Sequence, residues 1–303
     1  MSKESTLIKL EGHEIKLSNP SKVMYAESKL TKRDVTDYYV DMSPWLLPHL
    51  QERPVTRIRY PNGTDSSSFF EKNAPAGTPD WVRTESIPSP GSTKNRDFVN
   101  YVFIDDAATL VWLSNLAALE LHAPQWRLDT QDDTDRRPDR LVADLDPGAP
   151  AGIDECAEVA KLLRERFEDD GLTAYVKSSG KKGLHVVCPV ASTQSHRVVS
   201  EYVKAVASQL ESEMPDAVTA QMAKKLRRGK VFIDCSQNNA AKTTVAPYSL
   251  RNLPEATVST PLLWSEVDSG TDGIFSPAQV RERIDIHGDL WKGVCEGGPE
   301  VPE

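Results

Sequence analysis

The sequence predicts an α+β fold in which a mainly antiparallel or mixed sheet carries the chemistry. Three observations lead there. Short segments that alternate with period two, or form bounded apolar runs, recur near 6–18, 53–60, 141–146, 172–176, 184–190 and 231–235. Amphipathic stretches with helical spacing lie between them, at Val35 to Trp45, Asp154 to Phe167 and Val198 to Leu210. No internal repeat and no long Pro/Gly/Ser linker divides the chain, so strands and helices belong to one mixed architecture.

Composition narrows the class. The chain has 303 residues, 39% hydrophobic and 27% charged, which leaves room for a sizeable core and suits a soluble enzyme. No apolar run reaches the roughly 18 residues that would predict a membrane span. Met1 to Ser5 lacks the apolar core of a signal peptide, so a cytoplasmic location is expected. Cys156, Cys188, Cys235 and Cys295 form no C-x-x-C pair and read as free thiols. The formal net charge of -9 argues against binding nucleic acid through a global positive field, but leaves room for a local basic groove.

The N-terminal half reads as follows. Thr6 to Leu10 and His13 to Ser18 alternate about Glu11-Gly12, predicting a hairpin. Lys22, Lys29, Lys32 and Arg33 form a small basic cluster. Thr31 and Asp34 have the spacing of a capping box ahead of the first helix. Arg53 to Tyr60 reads as a strand with Arg57 and Arg59 on one face and Ile58 on the other. Phe69-Phe70 follows a polar tract. Adjacent aromatics beside a loop are most often core plugs, and the alternative is a platform for stacking a nucleobase. Residues 85–97 read as a surface loop. Ala107 to His122 reads as one strongly apolar helix. His122 at its end would either complement the helix C-terminus or reach into a site.

The second half carries the chemistry. Leu128 to Asp139 reads as a polar loop leading into the strand Arg140 to Pro147. Alternation puts Val142, Asp144 and Asp146 on one face, with the two carboxylates about 7 Å apart along the strand. Like charges at that spacing are costly without a cation. A metal site, a solvated surface strand and an Asp-Pro-Gly turn all fit this pattern. Lys177 to Gly183 joins two strands and combines glycines, hydroxyls and lysines, which suits a phosphate or an exposed basic turn; neither G-x-x-x-x-G-K-[ST] nor G-x-G-x-x-G is present. Lys224 to Lys230 is the densest basic run, a solvated face or a phosphate-backbone contact. Asp234 lies inside the otherwise apolar strand Val231 to Cys235, and a metal shared with Asp144 and Asp146 would offset its burial. Ser276 to Ile284 predicts a last short helix, and the tail after Gly297 is expected to be disordered.

In combination these residues resemble the polymerase domain of bacterial DNA ligase D, of the archaeo-eukaryotic primase superfamily. The resemblance is carried by Leu141 to Gly148, Ser179 to His185, Gly229 to Asn238, Lys242 to Thr244 and Ala246 to Arg251. Arg53-Pro54, Tyr60 to Gly63, Phe69 to Lys72 and Glu120 to Trp126 agree as well, so it spans about Ile15 to Trp291. It implies a primase-polymerase fold with an RRM-like catalytic sheet and a mostly N-terminal α/β module. The expected division is a module at about 1–130, a core at about 131–260 and a helical segment at about 261–295.

The resemblance further implies a template-dependent nucleotidyltransferase that fills short gaps or extends ends in repair such as non-homologous end joining, with a preference for ribonucleotides. Asp144, Asp146 and Asp234 match the metal-binding carboxylates, which would hold two divalent ions, Mn²⁺ or Mg²⁺. Ser179, Lys182 and His185 match the triphosphate loop. His122, Arg251, Gln237 and Lys242 join the nucleotide-binding set. Lys22 and Lys32 match lysines that hold a DNA 5′-phosphate, Phe69 and Phe70 match template-stacking aromatics, and Arg227 matches a basic residue near the template. The implied partners are gapped or end DNA with a 5′-phosphate, NTP or dNTP, a separate DNA ligase and a Ku-like protein, with no membrane. The implied location is bacterial cytoplasm, at the nucleoid during repair. Two departures stand out: Cys235 replaces a common tryptophan, and Ile58 a lysine found in relatives. No ligase or nuclease module is expected in these residues. The competing function is a non-catalytic module that recognises a recessed 5′-phosphate. A metal-dependent phosphohydrolase is disfavoured by the lack of histidine-rich ligand spacing.

Overall fold

A computed structural model describes residues 4–89, 97–128 and 136–302. The chain forms two compact units. The first comprises Met1–Ala123, Val245–Val258 and Ser276–Arg281, and the second comprises Pro124–Thr244, Ser259–Phe275 and Glu282–Glu303.

In the first unit, β1 (Ser5–Leu10) and β2 (His13–Ser18) form the expected antiparallel hairpin. Its two turn residues, Glu11 and Gly12, both have positive φ, 48° and 81°, as a tight two-residue hairpin turn requires. Helix α1 (Lys32–Leu50) opens on the predicted capping box: Asp34 accepts from the Thr31 backbone N–H at 2.7 Å. Strands β3 (Thr56–Arg59) and β4 (Phe69–Glu71) pair antiparallel, and β5 (Thr84–Pro88) pairs with β6 (Phe98–Val102) in a separate ladder. Residues 85–88 are therefore strand and not loop. Residues 90–96 of that expected loop lie outside the described residues.

The expected helix from Ala107 to His122 is two elements. Helix α2 (Ala107–Asn115) stops early, and β7 (Ala118–Ala123) pairs antiparallel with β3. Two contacts end the helix. The Asn115 side chain accepts from the Ser18 backbone at 2.9 Å and donates to the Lys16 carbonyl at 3.1 Å. Ala117 then turns with φ 59°. Asn115 thus ties the helix end to β2, and the apolar run continues as a buried strand. His122 lies on that strand and complements no helix terminus.

The second unit is built on a six-stranded sheet. Its strands are β8 (Arg140–Pro147), β9 (Tyr175–Ser178), β10 (Leu184–Pro189), β11 (Val218–Thr219) and β12 (Val231–Asp234), followed after β13 (Thr244–Val245) by β14 (Pro261–Leu262). Spatial order is β11-β12-β8-β10-β9-β14, antiparallel throughout except β11 with β12. Helices α3 (Ile153–Asp169) and α4 (His196–Glu213) cover one face. Leu141, Ala143 and Leu145 pack there against Cys156, Leu163, Phe167, Val199 and Val203, all fully buried. On the opposite face Val142 and Val187 meet Trp291 and Val294. Helices α5 (Trp264–Ser269) and α6 (Pro277–His287) follow. The tail after Gly297 is docked where disorder was expected: Val301 is 2% exposed, and its N–H reaches the Gln194 side chain at 2.8 Å.

Candidate active site

Register puts the chemistry of the second unit in one row. Asp234 lies opposite Asp144, Asp144 opposite His185, and His185 opposite Lys177. Directly paired residues share a sheet face, so these side chains cross four strands on the face away from α3 and α4. Asp146, two residues along β8 from Asp144, stands on the same face opposite Phe232.

Each acid is positioned differently. Asp144 Oδ1 is 3.3 Å from His185 Nε2. Asp234 caps a 3₁₀ turn (Cys235–Asn238), accepting from the Ser236 N–H at 2.9 Å and the Gln237 amide at 3.0 Å. Asp146 is the most open of the three. Desolvation pushes its carboxyl up to about 6, with Asp144 and Asp234 adding to the effect and Arg227 opposing it. Three hard oxygen donors in mutual repulsion are the donor set a divalent cation takes. Among the described residues, no three His, Cys, Asp or Glu side chains already close around one point.

Two glycines fix the strand that carries the pair. A Cβ on Gly148 would stand 1.9 Å from the Arg227 carbonyl oxygen, and one on Gly183 would stand 1.9 Å from that of Leu145. The basic segment and the Ser179 loop therefore lie directly against β8. Arg227 donates to the Met222 carbonyl at 2.6 Å and lies over the Phe232 ring at 3.6 Å. Cys235 packs its thiol against the core of this unit, and burial pushes it up to about 12, so it stays an inert thiol.

The Ser179 loop is built from its own backbone. The Ser179 hydroxyl accepts from the Lys181 and Gly183 N–H groups, both at 3.2 Å, and Gly180 turns at φ 71°. Lys182 is exposed at the loop tip, while His185 is 4% exposed at its base. Sequence reasoning put Lys177 in the phosphate-type connector, but it lies on β9, buried on the row, and its ammonium donates to Ser259 Oγ at 2.5 Å. Sequence reasoning missed Asn238, whose side chain clamps Val142 N–H and C=O at 2.8 and 2.7 Å. A polar residue in an ordinary strand or turn gives no local sign of such long-range bonds. Lys242 is exposed beyond this turn.

The first unit holds a second constellation. His122 Nε2 lies 3.2 Å from Glu120 Oε2, and Arg251 Nε lies 3.5 Å from the same oxygen. Phe69 and Phe70 are 44% and 53% exposed, which overturns the core-plug reading. Arg59 covers the Phe69 ring at 4.9 Å, and the Phe70 ring meets His122 edge-on at 6.4 Å. Arg57 and Arg59 share a face as predicted and both reach Glu71, at 3.1 and 3.2 Å. Lys22 donates to the Pro61 carbonyl at 2.5 Å. Lys32 is 6% exposed and donates to the Asn115 carbonyl at 2.9 Å. Burial lowers its ammonium, with the nearby charges of Lys22 and Arg59 adding to the effect. The three cations therefore form one positive cluster.

A mainly antiparallel sheet with a polar row on one face and a turned, glycine-containing loop at its rim is a frame suited to a charged, phosphate-bearing substrate. The profile of the LigD primase-polymerase domain matches residues 31–291. The chain is 42% identical over 277 residues to the multifunctional non-homologous end joining protein LigD of Mycolicibacterium smegmatis, covering 91% of this chain and 35% of that protein. It is 32% identical to the bifunctional LigD of Bacillus subtilis, covering 90% of this chain and 43% of that one. The polymerase domain of Mycobacterium tuberculosis ligase D, solved in complex with DNA, superposes with a TM-score of 0.86 at 39% identity, covering 94% of this chain and 99% of that domain. The chain belongs to the LigD primase-polymerase family. It spans less than half the length of the curated relatives it matches.

Proposed function

We propose that this chain is a template-dependent polymerase that fills short gaps or extends ends in DNA during non-homologous end joining, with a preference for ribonucleotides. The observation that carries the reading is the placement of Asp144, Asp146 and Asp234 on one sheet face, beside the Ser179 loop. Asp144, Asp146 and Asp234 would hold two divalent ions, Mg²⁺ or Mn²⁺, which when bound supply Lewis-acid activation of a primer 3′-hydroxyl and neutralise the triphosphate. Ser179 and the turned backbone of its loop orient the phosphates, Lys182 contributes a point charge, and His185 braces Asp144. Gln237 holds Asp234 in place. His122, Arg251 and Lys242 contact the nucleotide, Arg227 the template strand, and Phe69 and Phe70 stack on a base where the duplex is interrupted. Lys22 and Lys32 attract a 5′-phosphate, and such local contacts suit a chain of net charge -9. The names of the relatives support the pathway. A separate ligase and a Ku-like protein would complete the joining.

Extension of a gapped duplex with a 5′-phosphate tests the reading, with Mn²⁺ or Mg²⁺ and each nucleotide type. Wild type is expected to add nucleotides, ribonucleotides faster. Asp144→Ala with Asp146→Ala is expected to lose on the order of a hundredfold or more. Gap binding without incorporation by wild type would make the chain an end-binding module and end the catalytic reading.

A further inference from the structure

Glu120 is a carboxylate only 1% exposed, on a strand whose other inward residues are apolar. An ion there is costly unless every lone pair is used. Its two oxygens divide the work. Oε1 accepts from scaffold donors, the Tyr60 hydroxyl at 3.0 Å and the Asn252 N–H at 3.2 Å. Oε2 faces the two candidate nucleotide ligands, His122 at 3.2 Å and Arg251 at 3.5 Å.

The surroundings hold that arrangement. Tyr60 is anchored by its own N–H to the Ala117 carbonyl at 2.8 Å. The segment bearing Arg251 is fixed to β7 by Ser249, whose hydroxyl accepts from the Leu121 N–H at 2.9 Å. It is fixed to itself by the Arg251 N–H on the Thr257 carbonyl at 2.8 Å. Burial, followed by neighbouring phenols and the Glu120 charge, raises the proton affinity of Tyr25, and burial and Glu120 do the same for Tyr60. The Tyr60 phenol therefore stays a neutral donor to Glu120 Oε1. His122 and Arg251 side chains are 13% and 12% exposed, whereas that of Glu120 is 1% exposed.

We propose that Glu120 is a positioning residue that locks His122 and Arg251, from segments some 130 residues apart, into one nucleotide-binding pair. The inference rests on the reading of His122 and Arg251 as nucleotide ligands. Glu120 touches no substrate and acts only through these two side chains. Its carboxylate orients the imidazole and holds the guanidinium in place before the nucleotide arrives, so ordering cost at binding is reduced.

Steady-state extension on gapped DNA, with nucleotide varied, tests this. Glu120→Gln keeps the shape and the Oε1 bonds but removes the charge facing His122 and Arg251. It is expected to raise the nucleotide KM about tenfold while kcat changes less than about twofold. Tyr60→Phe, which cuts only the scaffold side, is expected to lower thermal stability and leave KM in place. A fall in kcat with unchanged KM for Glu120→Gln would mark a merely structural residue and overturn the proposal. Should Glu120→Gln not fold, His122→Ala and Arg251→Ala decide the matter singly and together. Sharing one carboxylate, their effects on KM are expected to be less than additive, and strict additivity would overturn the coupling. If neither single variant moves KM, the nucleotide reading itself has failed, a result distinct from additivity.

Discussion

On one face of the six-stranded sheet, Leu141, Ala143 and Leu145 press into α3 and α4 and are fully buried. On the other, one residue out of step along the same strand, Val142 is buried while Asp144 and Asp146 reach solvent. The first face gains from every contact it makes. The second gathers three carboxylates, and desolvation, with Asp144 and Asp234 adding to it, makes Asp146 take up protons more readily than an ordinary aspartate. The apolar packing against α3 and α4 and the carboxylates are thus separated by the two-residue period of a single strand. Substitutions on the first face should cost folding, and those on the second should cost function.

The largest effect expected on stability comes from Phe167→Ala. Phe167 is 0% exposed beneath the sheet, and removing its ring is expected to cost about 3–5 kcal/mol. Urea denaturation measures this, and the fraction still folded should extend DNA at the wild-type rate. A stability cost below about 1 kcal/mol would mean that the face repacks freely and the comparison fails.

The opposite face should behave in the opposite sense. With chelator present, Asp144→Ala with Asp146→Ala removes mutual repulsion and few bonds. Its unfolding free energy is expected to stay within about 1 kcal/mol of wild type, on the higher side. A loss as large as that of Phe167→Ala would show that the acids are part of the scaffold.

The sequence made this separation legible because alternation is a local signal. Asp144 and Asp146 fall on one face by counting, and Thr31 with Asp34 announces a helix start within four residues. The signal fails where neighbours are remote. Glu120 depends on Tyr60 and Asn252, and Lys177 depends on Ser259, partners 60 to 132 residues away. The mostly apolar stretch Ala107 to Leu121, interrupted only by Thr109, Ser114, Asn115 and Glu120, has no clear period to divide it. Only the tie of Asn115 to β2 and the turn at Ala117 make it a helix and then a strand. For Phe69-Phe70 hydrophobicity alone favoured burial, and only the family resemblance pointed to the exposed, stacking alternative.

The smallest effect is a pH dependence, and it probes the crowding of the acids directly. The Asp146 carboxyl is raised from 3.8 to about 6 by desolvation and by Asp144 and Asp234. A raised folded-state value means that the folded protein binds this proton more tightly than the unfolded chain. The resulting stabilisation is complete below about pH 4 and is lost as pH rises through about 6. Asp146→Asn carries no proton to release. The difference in melting temperature between wild type and this variant, measured in chelator, should therefore shift toward wild type as pH falls from 7 to 5. Acids and histidines away from this face titrate alike in both proteins and cancel in the difference, which leaves the linked titration of Asp146 and its neighbours. A flat difference would mean that neither desolvation nor Asp144 and Asp234 raise Asp146, and would remove the electrostatic argument for a cation on this face. A divalent ion held there would compete with the proton, so saturating Mg²⁺ is expected to flatten a curve that slopes without it.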